Sequence, residues 1–421
     1  MIRLVAVTAI VGGIALLVTA VSALSTPDAN PPPAPAAVES ALHRTISAAR
    51  DKLRRTPSDA RTWASLGTAY VEQARVTGDP SYYTKALGAL DESLKHHPDN
   101  GWALVGLGAL ANARHDFAAA RDLAQRAATV LPDTAEVYGV LADAQTQLGV
   151  EATATVQRML DLEPGVPSFT RAAYDLEQRG DVEGARSALE RALEAAVVPA
   201  EVVFCRYHLG ELAFDNGRLD DAEAQYEQGL LVDPRDVMLL QGKAKVAAAR
   251  GRIDEAIGGY RDLVARAPLP QFLHEYAVLL RRAGRGDEAA QQFSVLDRQF
   301  ALLAASGGSD DLAASVAAAD RGDAATALRL AEAEWGRRQH ALVADAVAWA
   351  LHLNGRDAEA LEFATRAAAP GWRNAVFAFH RGTILAALGR PEAADVLDEA
   401  SRINPHFPDA GSARATLAGL R

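Results

Sequence analysis

The chain has 421 residues, 49% hydrophobic and 23% charged, and its 54 acidic against 43 basic side chains leave a net charge of −11. That length holds about two to four ordinary domains or one long array, and the acidic balance argues against nucleic acid as the main partner, because phosphates need a basic face. A single cysteine, Cys205, excludes an intrachain disulfide and any multi-cysteine metal site, while 6% aromatic residues and abundant alanine favour packed helices over a sheet.

In chain order, Leu4–Leu24 carries no charge and follows Arg3. The small residues Val18 to Ala20 and Val21 to Ala23 suit signal-peptidase cleavage, yet twenty-one uncharged residues would also span roughly 31 Å as an uncleaved anchor. With Arg3 held inside, either reading exports the rest of the chain, and the anchored form is the leading expectation. Residues 1–24 are therefore expected to be a signal peptide or transmembrane anchor. Residues 25–37 contain five prolines and no apolar period, and are expected to be an extended linker. From residue 38 to 421 a helical pattern runs without a break.

That pattern repeats. Gly149, Gly180, Gly217, Gly251, Gly284, Gly322, Gly355 and Gly389 recur at a mean interval of about 34 residues, a period expected of helix–turn–helix arrays. Five residues after each stands an alanine: Ala154, Ala185, Ala222, Ala256, Ala289, Ala327, Ala360 and Ala394. Glycine closes a first helix with φ > 0, and alanine lets two helix backbones approach. Acidic pairs such as Asp220 with Asp221 and Asp254 with Glu255 sit at the positive end of a second helix. Pro98, Pro132, Pro164, Pro234, Pro268 and Pro405 end it.

Trp63, Leu66, Gly67 and Tyr70 then reproduce W-x₂-L-G-x₂-Y, followed by Ala86, Leu90 and Pro98. Leu209, Gly210, Gly217, Ala222, Tyr226, Gly229 and Pro234 form a second complete unit, and Trp102 to Pro132 a third. The chain thus resembles the tetratricopeptide repeat family, with about ten units over Ala41–Gly419. Residues 76–83 read as an insertion in the first unit, and the Ser306 to Asp310 break as a softer joint. The resemblance implies an all-α, right-handed superhelical solenoid whose first helices line a concave face. Terminal units need polar caps, expected at Ser40–Arg55 and Asp409–Leu420.

Motifs for chemistry are outweighed by structural readings. Gly106, Gly108 and Ala111 match a dinucleotide fingerprint but sit within a first helix with no preceding strand. His96 and His97 end a helix, and no H-x-x-x-H spacing occurs, so no metal is expected. Cys205 reads as a small buried hydrophobe. No P-loop or nucleophile elbow is present, so neither catalytic residues nor a cofactor are expected.

If the family geometry holds, Tyr174, Phe204, Tyr207, Glu211, Phe214, Gln241, Lys245, His274 and Arg281 face the groove and bind a protein or peptide partner. Aromatics that merely pack between units are the alternative. Trp349 and Phe379 offer a second patch. Lys245 has no matching asparagines, which argues against a carboxylate clamp. The leading expectation is a non-catalytic scaffold outside the cytoplasm, membrane-anchored through residues 4–24 or secreted, that helps assemble an envelope or secreted complex. A self-associating structural protein and an enzyme acting on envelope polysaccharide are the rivals.

Overall fold

The computed structural model describes residues 36–305 and 307–420, and among them are twenty-two helices and no strand. Ten helical hairpins run from Ala60–Thr77 paired with Ser81–His96 to Ala375–Ala387 paired with Ala393–Ile403. The helices Ala36–Arg55 and Ala410–Leu420 close the two ends, the first starting inside the expected linker. No described helix is long and apolar enough to cross a membrane; the apolar segment of residues 4–24 lies outside the described residues.

All eight register glycines have positive φ, between 64° and 88°. Gly78 (64°) and His115 (61°) occupy the same turn in the first two hairpins, which completes a set of ten. The residues 76–83 are thus no separate insertion: the first helix simply runs to Thr77 and the tip turns at Gly78. Six of the eight register alanines are fully packed, but Ala154 and Ala394 are not; their neighbours Ala152 and Ala393 take the place against the first helix. Second helices open on aspartate caps, as at Asp116, Asp181 and Asp323, or on acidic first turns, as at Asp220 and Asp254.

Packing between hairpins follows one device. A large side chain of a second helix fills the space above glycines on two successive first helices. Leu90 lies where a Cβ on Gly67 or Gly106 would stand at 2.5 Å, and Tyr226 does the same between Gly210 and Gly242, at 2.3 and 2.5 Å. This is why Gly106 belongs to a helix interior: it lets a neighbour close in, with no phosphate to cradle.

The coil then closes on itself. Each of the first five tips meets the inter-hairpin loop five units further on. Arg114 donates to the Gly307 carbonyl (2.9 Å), Asn404 donates to the Phe214 carbonyl (2.9 Å), and Arg338 bonds Gln147. A Cβ on Gly149 would stand 2.3 Å from the Gln339 carbonyl oxygen, and one on Gly180 would stand 2.4 Å from that of Gly371. Tyr174 packs edge-on to Trp372 at 5.9 Å across the same seam. Within the expected soft joint, Gly307 is therefore clasped by a tip, while Ser306 lies outside the described residues. The loop at Arg338–His340, which lacks the usual proline, is among those seated on tips.

His340 caps a helix at this seam. Its Nδ1 accepts from the Leu342 N–H (3.2 Å) and its Nε2 meets Gln178 Oε1 at 2.9 Å, so the ring is held neutral. Burial, with Arg338 nearby, pulls its pKa down to about 3.

The seam is open to test at two positions. Gly355→Ala, at an open tip, should cost about 1–2 kcal/mol for its left-handed backbone alone. Gly180→Ala should cost clearly more, because its methyl also meets Gly371; equal urea midpoint shifts for the two would contradict the seam. Separately, the unfolded chain takes up a proton at His340 below about pH 6.5 and the folded chain does not until about 3. Stability should therefore fall as pH drops from 7 to 5, by roughly 2 kcal/mol from this residue. His340→Asn, which keeps a cap acceptor but cannot be charged, should flatten that limb of the melting-temperature profile.

Candidate functional site

The inner face of the coil is built from first helices, and most of the expected groove residues are consumed by it. Tyr174, Tyr207, Glu211, Phe214, Gln241, Lys245 and His274 are all buried, Phe204 is half-buried, and Arg281 is exposed. As an open recognition face, the seven buried residues are corrected. The coil is tight enough that side chains from neighbouring first helices meet one another before they meet solvent.

They form a polar ladder. Lys245 Nζ lies 2.5 Å from Glu211 Oε2 and 4.5 Å from the centre of the Phe214 ring, while the Tyr226 hydroxyl donates to Glu211 Oε1 at 2.6 Å. One unit on, Gln241 Nε2 and the Tyr260 hydroxyl donate to Glu275 at 2.7 and 2.8 Å. Burial pulls the Lys245 ammonium down, but Glu211, Glu275 and Asp215 outweigh it and hold its pKa above the usual lysine value. Burial pushes the Glu275 carboxyl up, against Lys245 and its two hydrogen-bond donors. His274 meets Asp320 at 2.8 Å. On the N-terminal side, Arg171 grips Asp143 with two bonds of 2.9 and 3.0 Å, both side chains 4% exposed. The second patch resolves in the same way: Trp349 stacks on His380 at 4.1 Å, His380 pairs with Asp345 at 2.9 Å, and Phe379 is buried.

What stays open is a chamber of about 860 Å³ inside the first turn of the coil. Its wall follows the first helices from Val71 through Val105, Val140 and Arg171 to Tyr207, then Met238 and His274; Leu296, Phe300 and Leu303 of the long Gly286–Ala305 helix close another side. Of the nine expected site residues, Phe204, Tyr207 and His274 line it. Asn112 and His208 line it too and were missed. A signal for Asn112 was available: it is the one polar side chain in the first helix Gly101–Ala113, at the inner register.

The chamber holds polar atoms whose needs the protein does not meet. The Tyr207 hydroxyl, Asn112 Oδ1 and His208 Nε2 are buried without a hydrogen-bond partner among the described residues. Burial pulls His208 down to about 4, so at neutral pH its ring is uncharged. Buried unpaired atoms of this kind cost about 1–3 kcal/mol each unless water or a ligand satisfies them. Cys205, by contrast, is fully packed, and burial pushes its thiol up to about 12, out of nucleophilic range. Among the described residues no three His, Cys, Asp or Glu side chains converge as a metal site.

The sequence comparison falls on the central units. The tetratricopeptide repeat family matches residues 170–236, 207–269 and 242–304, overlapping spans that take in the ladder and part of the chamber. The central units of the chain are tetratricopeptide repeats. Among solved structures it is similar to a repeat protein of this family from Parabacteroides merdae, with 17% identity over 60% of this chain and 97% of that one, at a TM-score of 0.36. A thermophilic member from Thermus thermophilus shows 23% identity over 45% and 97%, at 0.39. The Cut9–Hcn1 hetero-tetramer of the APC/C shows 12% over 91% and 94%, at 0.41. No curated protein matches the chain.

The ladder gives a direct test. Lys245→Met should destabilise the repeat array by about 3–5 kcal/mol, because Glu211 is left buried with only the Tyr226 hydroxyl. Adding Glu211→Gln should recover most of the loss in urea unfolding. Additive losses in the double variant would show that the two side chains are not paired.

Proposed function

We propose that the chain is a non-catalytic scaffold that takes a segment of a protein partner into the chamber. The observation that carries this reading is the pair of unpaired atoms, the Tyr207 hydroxyl and Asn112 Oδ1, on the wall of a mixed polar and apolar space of a size that encloses a ligand or a short peptide. A peptide backbone supplies N–H groups for Asn112 Oδ1 and carbonyls for the tyrosine hydroxyl. Recognition then works by shape and hydrogen-bond complementarity, as repeat proteins offer a large surface with no chemistry of its own. The envelope-enzyme alternative draws no support from Glu211, which is occupied by Lys245 and Tyr226.

The proposal also places the protein outside the cytoplasm, held by residues 4–24 and helping assemble an envelope or secreted complex. Its support is the uncharged stretch behind Arg3. The protein should stay with membranes after high-salt washing; a mature N-terminus at Val21 or Leu24 would mean release instead.

The experiment is capture from native envelope extract with the full-length protein and with Tyr207→Phe as parallel bait. Removing one hydroxyl leaves the fold intact and should weaken the captured partner roughly tenfold, about 1.4 kcal/mol, if that hydroxyl bonds the partner. Undiminished binding by a variant with the same melting curve would remove the chamber as the recognition site.

A further inference from the structure

The seam uses half of the edges that the hairpins present. Tips at Gly78, His115, Gly149, Gly180 and Gly217 sit under loops at Leu269, Gly307, Gln339, Gly371 and Asn404. The tips at Gly322, Gly355 and Gly389 have the same backbone and nothing within 4 Å of a Cβ placed there. The same holds at Gly251 and Gly284, although there the C-terminal segment reaches across: Arg282 donates to the Pro408 carbonyl and to Asp409 at 2.6 and 2.7 Å. On the other edge, the first-turn loops at Pro98, Pro132, Pro164, Val197 and Pro234 are the counterparts of the seated ones and carry no second turn.

We propose that the protein assembles head to tail with copies of itself, the free loop edge of one molecule seating on the free tip edge of the next as the two turns seat within one molecule. This goes beyond the scaffold reading and does not depend on what the chamber holds.

Three observations carry it. The first is continuity: the free edges extend an interface already formed within the chain, between the same kinds of turn and loop five units apart. The second is apolar exposure on the loop edge, where Val197 and Leu231 are 86% and 77% exposed, the highest values among the large hydrophobic side chains described. Leu353 lies exposed at an opposing tip. The third is charge. Asp99, Asp133 and Glu163 stand exposed on the loop edge, while Arg356 and Arg390 stand exposed at free tips. The internal contacts set the precedent, since Arg114 and Arg282 near tips bond loop groups. Arg356 is engaged only with the acidic side chains of its own surface, weak exposed pairs that exchange readily. Because the two edges differ, the contact is heterologous and propagates as an open helical array.

The test uses light scattering of the full-length protein over a hundredfold concentration range. Wild type should gain mass stepwise with concentration. Val197→Asp with Leu231→Asp blocks the loop edge, and Leu353→Asp with Arg390→Asp blocks the tip edge; each variant alone should keep the mass of one chain. Their equimolar mixture should form a discrete dimer and nothing larger, since one good edge survives on each partner. A wild type that stays at single-chain mass throughout would overturn the proposal. So would a mixture that never pairs, which is the behaviour of a symmetric contact. The altered side chains are exposed, and unchanged melting curves confirm the fold; Val197→Ser with Leu231→Ser serves if the aspartates shift it.

Discussion

Five hairpins complete one turn of this coil, and the next turn lies directly on the last. That constraint governs the molecule. For the turns to touch, tips at Gly149 and Gly180 must bring backbone within van der Waals reach of another backbone, which no side chain at either position allows. Polar groups trapped at the same level need partners there. Gln147 and Gln178 find them in Arg338 and His340, and the Arg338 guanidinium also lies 5.0 Å over the Phe117 ring. The interface is dense, specific and intolerant of charge at His340.

A tight coil changes what the inner face is for. In a loosely wound array, polar and aromatic side chains at the inner register would be available to a guest. Here they meet across a distance of one hydrogen bond and must be matched, since a buried lone charge costs far more than it contributes. Glu211 with Lys245, Glu275 with Gln241 and Asp143 with Arg171 are the outcome. They tie neighbouring first helices together in the middle of the stack. Where the spacing opens, beside the long Gly286–Ala305 helix, the same register leaves the Tyr207 hydroxyl and Asn112 Oδ1 unmatched, and the chamber is found there.

The protein therefore presents two kinds of surface suited to partners. One is the chamber, walled by polar and apolar side chains together, which is the proposed seat of a partner segment. The other is the pair of edges that the coil leaves uncovered. Both arise from the same five-unit closure, the first because the coil surrounds a space and the second because any finite coil ends. Neither requires reactive groups, and Cys205, the one thiol, is sealed in the core.

The helices, their turns and the family were legible in the residues themselves. Glycine at the tips, aspartate at the caps and apolar side chains at helical spacing act within some 34 residues, and their effects are local. His115 escaped because a non-glycine residue took the left-handed turn, and Ala154 and Ala394 were misplaced by a residue because helix starts shift freely within a loop. What only the tertiary structure decided was the winding. Gly180 and Gly355 look alike in the sequence, yet one lies under a loop 191 positions further on and the other faces open space. Pitch is the sum of small rotations between neighbouring hairpins, each set by how side chains such as Leu90 and Tyr226 seat on their glycines. No single unit encodes that sum, so whether Tyr207 met a partner, a neighbour or a cavity was settled only when the turns came together.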